Sequence, residues 1–365
     1  MSRVSRANGR ARAQRALPET GNPPGFTVEA EIAVQQGAVS GIAVSPDGTR
    51  LIVTHYGDDS VSLIDTGHSA VAQTIVDIDE PFAVAVSDTT DGRAYVSTVS
   101  PAYDSILVFD IGANQVVGAH PVAHSVTDLA VSPDGKRVYA SRTAVNGADV
   151  AVFDTTTGDE DAIGVAATAG TTAECVRVSP DGRRLYVAAN GPSAAELVVI
   201  DTQSHRVVNT IEIGSPIRDI ALSADGATAY VGSCGPDLGA VLDIVDVRAA
   251  RPDAVANTYK IGEIAGWLTQ LALSRDGRRA YLVGDHSVTV LSTATHDVIG
   301  SIVTGAQPSC VTESPDGRRL YIADYAGAIT VLTTAPADAP TPDEVPTAPH
   351  QRALSNLLGL EPTTA

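Results

Sequence analysis

A short phrase returns along the whole chain, and its spacing restricts the possible folds more than any other feature. Residues 176–189 read V-R-V-S-P-D-G-R-R-L-Y-V-A-A, and variants of this text surround seven Asp-Gly pairs. The pairs begin at Asp47, Asp91, Asp134, Asp181, Asp225, Asp276 and Asp316, with separations of 44, 43, 47, 44, 51 and 40 residues. A period near 45 residues is the signature of a four-stranded repeat unit. The sequence therefore predicts seven similar β units.

Each copy of the phrase predicts a β-hairpin. Pro favours an early turn position, Asp accepts hydrogen bonds from nearby backbone N–H groups, and Gly adopts the left-handed conformation that ends the turn. Apolar runs lie on both sides of the turn, and two further apolar runs follow before the next copy, as in residues 197–202 and 207–213. A four-stranded sheet that is apolar on both faces cannot bury itself. We therefore expect an all-β protein, a seven-bladed β-propeller with four-stranded antiparallel blades.

The two ends of the repeat region complement each other. Residues 26–34 match the fourth strand of a blade but precede the first blade, whereas the last copy has no fourth strand after Leu332. We therefore predict that the N-terminal strand closes the ring by completing the last blade. The predicted parts are a disordered basic arm (residues 1–25), the propeller (residues 26–334), and a Pro-rich linker with a flexible C-terminal tail (residues 335–365).

Charge and composition narrow the expected partners. The formal charge of −19 splits into +5 for residues 1–17 and −24 for the rest, so we expect no nucleic-acid binding through the blades. No secretory signal and no apolar run of membrane-spanning length is visible, which predicts a cytoplasmic protein without a transmembrane segment. We expect a monomer, no cofactor and no metal, because no pair of histidines outside one loop has ligand spacing.

The repeat text resembles a known family. The units S-P-D-G-R-R-L-Y-V-A (179–188) and S-P-D-G-R-R-L-Y-I-A (314–323), followed by text such as residues 198–202, are similar to the YVTN-repeat propellers of bacteria and archaea. The resemblance covers about residues 26–333 and implies the propeller fold. The family and its relatives include binding propellers and lactonase-like hydrolases, and no lactonase catalytic residue can be transferred to this sequence. The resemblance therefore leaves the activity open.

Candidate functional residues are those that interrupt the repeat. The loops between second and third strands and the loops between blades should share one face around the mouth of the central channel. On that face, or in the channel wall, we place the candidate ligand-binding residues: His55, Asp58, Asp128, Glu174, Arg177, Arg218, Asp219, Trp267, Gln270, His286 and Glu313. His, Asp and Glu on one rim can act as acids and bases, and Arg can hold an anion.

Two functions remain open from the sequence. We expect a non-catalytic propeller that binds a small polar ligand or a protein partner at the channel mouth, because the acid and base candidates are scattered over many blades. The alternative is a lactonase-like hydrolase that uses rim His, Asp or Glu to activate water. A partner-binding face should show an exposed aromatic or apolar patch, whereas a hydrolase should show a polar pocket with converging carboxylates.

One residue in the channel wall invites a specific prediction. Arg177 occupies a position at which five blades carry alanine, and a guanidinium in a narrow channel needs an acidic partner. We expect Arg177 to pair with Glu313, or failing that with Glu174.

Overall fold

The computed structural model describes residues 22–335, except residues 35–36, 90, 101–102, 124, 235–238, 249–254, 262–263 and 265–266. Within this part the chain forms 28 β-strands and one short 3₁₀ turn, Tyr56–Asp58. The strands are grouped into seven four-stranded antiparallel sheets. The predicted all-β architecture is confirmed.

Six blades follow the chain in simple order. Blades 1 to 3 consist of β2 to β13: Gly41–Val44, Arg50–His55, Ser60–Asp65, Ala70–Val76; Val84–Val86, Arg93–Thr98, Asp104–Asp110, Gln115–Val122; Ser125–Val131, Arg137–Ala144, Gly147–Asp154, Glu160–Ala166. Blades 4 to 6 consist of β14 to β25: Thr172–Val178, Arg184–Asn190, Ala195–Asp201, Arg206–Ile213; Ile217–Leu222, Thr228–Cys234, Ala240–Asp246, Val255–Ile261; Leu268–Leu273, Arg279–Gly284, Val288–Ser292, Val298–Ile302.

Blade 7 takes its strands from both ends of the propeller. It contains β26 to β28, Pro308–Glu313, Arg319–Asp324 and Ala328–Thr334, and its outermost strand is β1, Phe26–Ala33. The register runs from Phe26 opposite Thr334 to Ala33 opposite Ala328. The first strand of every blade contacts the first strands of both neighbours, including that of blade 7 against blade 1. The predicted closure of the ring is confirmed.

Packing between blades explains why the repeat contains a tyrosine after the hairpin. Six of these tyrosines are at most 8 % exposed and lie in the apolar layers between sheets: Tyr95, Tyr139, Tyr186, Tyr230, Tyr281 and Tyr321. A buried tyrosine removes a large apolar area from water, so it favours the pairing of adjacent blades. The repeated tyrosines thus stabilise the ring.

The hairpin turns form as their residues predict. The glycine of every Asp-Gly pair has a positive φ, between 63° and 72°. In the Ser-Pro-Asp-Gly turn of blade 4, the Asp181 carboxylate accepts hydrogen bonds from the Ser179 hydroxyl at 2.6 Å and from the Arg183 backbone N–H at 3.0 Å. No helix in the described residues is long and apolar enough to cross a membrane.

Candidate functional site

The antiparallel order of the strands separates the loops into two faces. The hairpins between first and second strands lie at one end of every blade, together with the turns between third and fourth strands. We call this the hairpin face. The connections between second and third strands, and those between blades, lie at the opposite end, which we call the mouth face.

Arg177 lies in the channel wall and links three blades. Its guanidinium forms ion pairs with Asp128 of blade 3 and with Asp219 of blade 5, the latter at 2.5 Å from Nη2 to Oδ1. Its Nε also donates to the Ile220 carbonyl at 2.9 Å. Although burial lowers the pKa of Arg177, the charges of Asp128 and Asp219 raise it above its usual value. The side chain, 29 % exposed, is therefore held in place by the channel wall.

The expected pairing of Arg177 with Glu313 is wrong, and Glu174 does not pair with it either. Glu313 is buried and accepts a hydrogen bond from the Tyr281 hydroxyl at 2.9 Å and one from the Arg275 backbone N–H. Glu174 accepts from the Thr172 hydroxyl at 2.7 Å. Arg177 lies two residues before the hairpin serine and Glu313 only one, so their side chains leave the strand on opposite sides.

Three candidate residues in the channel wall hold neighbouring blades together. Asp128, Asp219 and Gln270 each stand four residues before the hairpin serine of their blade, after a shift in strand register. Each accepts a hydrogen bond from a backbone N–H of the next blade: Val176 at 3.0 Å, Leu271 at 2.9 Å and Val311 at 2.6 Å. These polar atoms are therefore already engaged in the structure of the ring.

His55 does not lie on the rim, contrary to our expectation. It is the last residue of β3 and has no exposed surface. Its Nε2 is 3.0 Å from the Ser62 hydroxyl, and Nδ1 has no hydrogen-bond partner in the described part of the chain. Burial lowers the pKa of His55, against the opposing effects of the Gly37 carbonyl and the Asp58 charge. Asp58 itself is exposed and accepts from the Gly37 N–H at 2.6 Å.

The mouth face has exposed aromatic side chains. The chain contains one Trp, ten Tyr and four Phe, all in described positions, and five of these side chains are more than 40 % exposed. All five lie in connections of the mouth face: Tyr56, Phe82, Tyr103, Trp267 and Tyr325. In ring order they belong to blades 6, 7, 1 and 2 or to the connections that enter them. We call these five residues the aromatic arc.

One end of the arc is an acidic and aromatic patch. The rings of Tyr56 and Phe82 pack edge to face with centroids 6.3 Å apart, and the Tyr56 hydroxyl donates to Glu80 at 2.7 Å. The two connections that contain these rings, residues 56–59 and 77–83, include Asp58, Asp59, Asp77, Asp79 and Glu80 but no Lys or Arg. Negative charge therefore surrounds the exposed rings.

The other end of the arc contains the only tryptophan. The Arg218 guanidinium carbon lies 4.6 Å from the centroid of the Trp267 ring, a cation–π contact. The backbone N–H of Trp267 donates a hydrogen bond to the Asp285 carboxylate at 3.1 Å. His286, which follows Asp285, is exposed. The structure thus brings Arg218, Trp267 and His286 to one region of the mouth face.

Our sequence reasoning missed Phe82 and the engagement of the channel residues. Phe82 follows a proline between blades 1 and 2, away from the repeated tyrosine position, and that displacement is the signal that marks it. The backbone N–H groups that donate to Asp128, Asp219 and Gln270 cannot be recognised from the sequence, because each belongs to the next blade. Among the described residues, no group of three or more His, Cys, Asp or Glu side chains is arranged to hold a metal ion.

Comparisons with known proteins were made against family models, curated proteins and solved structures. No family model matches the chain. The chain is 50 % identical over 346 residues to the seven-bladed beta-propeller protein Rv1057 of Mycobacterium tuberculosis (strain ATCC 25618 / H37Rv), covering 87 % of each sequence. It also matches a solved chain of hydrazine synthase from Kuenenia stuttgartiensis with a TM-score of 0.72 and 22 % identity, over 83 % of this chain and 97 % of that one. The latter likeness concerns the fold alone.

Proposed function

We propose that this chain, which belongs to the family of seven-bladed β-propeller proteins that includes its mycobacterial relative, is a non-catalytic binding protein. Its mouth face would hold a basic segment of a protein partner. The observation on which the proposal rests is the aromatic arc, since every aromatic side chain more than 40 % exposed lies on this one face. Exposed aromatic clusters are typical of protein-binding surfaces, and Trp and Tyr are frequent among the residues that dominate binding energy.

The chemistry around the arc favours a basic partner. Five carboxylates lie in the connections that contain Tyr56 and Phe82. Lys and Arg side chains can pair with these carboxylates and stack on the aromatic faces. The overall negative charge of the blades would also increase the rate of encounter with a basic segment at low salt.

The arrangement of the carboxylates supports binding over hydrolysis. A lactonase-like enzyme needs a carboxylate or histidine that reaches an attacking water. In the channel wall, Asp128 and Asp219 accept from backbone N–H groups and pair with Arg177, while His55 is sealed from solvent. We also propose that the protein is a YVTN-repeat propeller, and the repeated S-P-D-G-R-R-L-Y text supports this assignment.

Titration with defined peptides tests the proposal. We would compare synthetic peptides that combine Arg and Leu with counterparts in which Glu replaces Arg. Trp267 is the only tryptophan and lies on the mouth face, so its fluorescence reports binding. We expect the basic peptides to bind and the acidic ones to fail. Phe82→Ser or Trp267→Ala should weaken binding about thirtyfold, the loss of roughly 2 kcal/mol typical of a dominant interface residue. For Trp267→Ala, calorimetry replaces fluorescence.

The matched control is Val208→Ser, which changes an exposed apolar residue on the outer strand of blade 4. It should leave peptide affinity unchanged. Equal binding of acidic and basic peptides, or unchanged affinity in Phe82→Ser, would contradict the proposal. A panel of lactones and esters assayed with the same protein tests the alternative function. Turnover above background that is lost in Asp58→Asn or His286→Ala would show that the protein is a hydrolase and would contradict the proposal of a non-catalytic protein.

A further inference from the structure

On the hairpin face, neighbouring blades are packed by a repeated contact between a glycine and a proline. A Cβ built on the hairpin glycine would lie 3.1–3.4 Å from Cδ of the proline in the preceding blade for three pairs: Gly48 on Pro315, Gly182 on Pro133 and Gly226 on Pro180. In these three pairs the glycine of one turn therefore lies against the proline of the turn before it.

Blade 2 lacks this contact because its hairpin is different. Its turn, residues 87–92, is two residues longer than Ser-Pro-Asp-Gly, and a Cβ built on Gly92 meets nothing within 4 Å. Pro46 of blade 1 therefore has no such contact with the glycine of the next blade.

A second irregularity occurs at the same junction. In five other blades, a threonine at the end of the third strand or directly after it donates its hydroxyl hydrogen to the carbonyl of the hairpin glycine: Thr66, Thr155, Thr202, Thr293 and Thr334. Blade 2 has Ile111 in this position, which cannot make the bond and presents an apolar side chain instead.

A cavity lies at this junction between blades 1 and 2. Its volume is about 500 Å³. Its lining includes Pro46 and the edge of Ile111, which is 5 % exposed, together with the polar residues Asp47, Thr49, Arg50 and Asp88. Cavities of this size are typical of small-molecule sites. The cavity is on the hairpin face, so it is separate from the aromatic arc.

The charges in the cavity indicate what it can hold. The Arg50 guanidinium is already engaged, since its Nη1 lies 2.7 Å from Asp65 and 3.0 Å from the Thr49 carbonyl. Hydrogen bonds from the Ser45 hydroxyl and the Thr49 N–H lower the pKa of Asp47, so this carboxylate is ionised at neutral pH. Asp88 is a second, exposed carboxylate in the lining. The charge left for a ligand is negative.

We propose that this cavity binds a small organic cation with an apolar body, such as an arylalkylamine. The apolar part would contact Pro46 and Ile111, and the ammonium group would lie between Asp47 and Asp88. Burial of the apolar part and a charge-assisted hydrogen bond to a carboxylate together supply affinity. The apolar contacts alone would not select amines over neutral compounds of the same shape, whereas the carboxylates would.

The test uses 2-phenylethylamine and the neutral 2-phenylethanol as probes, with binding followed by calorimetry. We expect saturable binding of the amine, at least about tenfold tighter than that of the alcohol, as one hydrogen bond to a charged group would provide. Higher salt should weaken binding of the amine but not binding of the alcohol. Equal affinities for the two probes, or no saturable binding of the amine, would overturn the proposal.

The repeat itself offers a matched pair of variants. Thr49 occupies a position at which blades 4, 6 and 7 carry arginine, so the hairpin can accommodate an arginine there. Thr49→Arg would therefore introduce a long cationic side chain into the cavity. Ala227→Arg makes the same change at the same position of blade 5, away from the cavity. Thr49→Arg should abolish amine binding and Ala227→Arg should not. Equal affinities in the two variants would refute the site.

A milder variant guards against an effect on folding. Asp88→Asn removes one carboxylate from the cavity without adding volume, and we expect it to weaken binding of the amine several-fold with no change in melting temperature. Unchanged affinity for the amine in this variant would show that Asp88 has no part in recognition and would contradict the proposed site.

Discussion

Arg177 shows how one residue in a repeat can join several elements. It stands where five blades have alanine, and its guanidinium reaches acids in the blades on both sides. Breaking a largely buried ion pair costs more than the pair itself is worth, because the remaining charge stays away from water without a partner. Arg177, Asp128 and Asp219 thus join three blades of the ring.

We predict that Arg177→Ala destabilises the propeller by about 2–4 kcal/mol, since Asp219 would be left buried without its cation. Arg183→Ala, which removes an exposed arginine from a hairpin, should change stability by less than about 0.5 kcal/mol. Arg177→Lys should fall between them, because an ammonium group keeps the charge but cannot bind both acids at once. Urea unfolding followed by circular dichroism measures all three. Equal losses for Arg177→Ala and Arg183→Ala would show that Arg177 is unimportant.

At the scale of the element, the turns depend on ionised aspartates. At the end of the third strand of blade 4, the Asp201 carboxylate accepts hydrogen bonds from the Ser204 N–H at 2.8 Å and from the Ser204 hydroxyl at 2.9 Å. These bonds lower the pKa of Asp201 to about 2, and equivalent bonds from His68 lower that of Asp65 to about 2. Each turn is thus stabilised by a charge that acid removes.

We predict from these turns that acid destabilises the protein between about pH 4 and pH 2. A carboxylate whose pKa is lowered on folding contributes stability above its unfolded value, near 3.8, and that contribution is lost as the pH falls towards 2. Burial raises the pKa of Glu313 and of Asp243, so these two groups take up protons earlier and offset part of the loss. Melting temperatures measured from pH 5 to pH 2 should fall, and Asp201→Asn should make the dependence of melting temperature on pH less steep.

Asp159→Asn, at an exposed position of another turn, serves as the control. If both variants behave like the natural protein, the turn aspartates do not account for acid sensitivity.

At the scale of the whole molecule, stability depends on closing the ring. The closing strand β1 buries Phe26 and Ile32 against blade 7 and its neighbours, and it pairs along β28. Without it, β28 would become an exposed edge with unpaired N–H and C=O groups, which favours aggregation.

We predict that a chain beginning at Gln36 loses cooperative unfolding or aggregates. The melting curve and the sedimentation profile would be compared with those of the full chain and of a chain that begins at Asn22, which removes the basic arm but keeps β1. The shorter deletion should melt like the full chain. If the chain from Gln36 does so as well, β1 is not needed to close the ring.

The sequence by itself determined the seven hairpins, the four strands of each blade and the strand that closes the ring. Ser-Pro-Asp-Gly specifies its turn through its own backbone preferences and local hydrogen bonds, and the apolar runs specify strands by their pattern. The turn signal is local and recurs in all seven blades, as Ser-Pro-Asp-Gly in four and as variants that keep Asp-Gly in the other three, so an ambiguous copy can be interpreted from the others. Ring closure followed from counting strands.

Only the tertiary structure decided which residues meet between blades and which face solvent. A shift in strand register places Asp128 and Asp219 beside Arg177, and folding buries His55 completely. The exposure of Phe82 and the gap beside Pro46 also depend on how neighbouring blades pack. The ion pairs of Arg177 join residues 42 and 49 positions apart, and no pattern within one repeat encodes them.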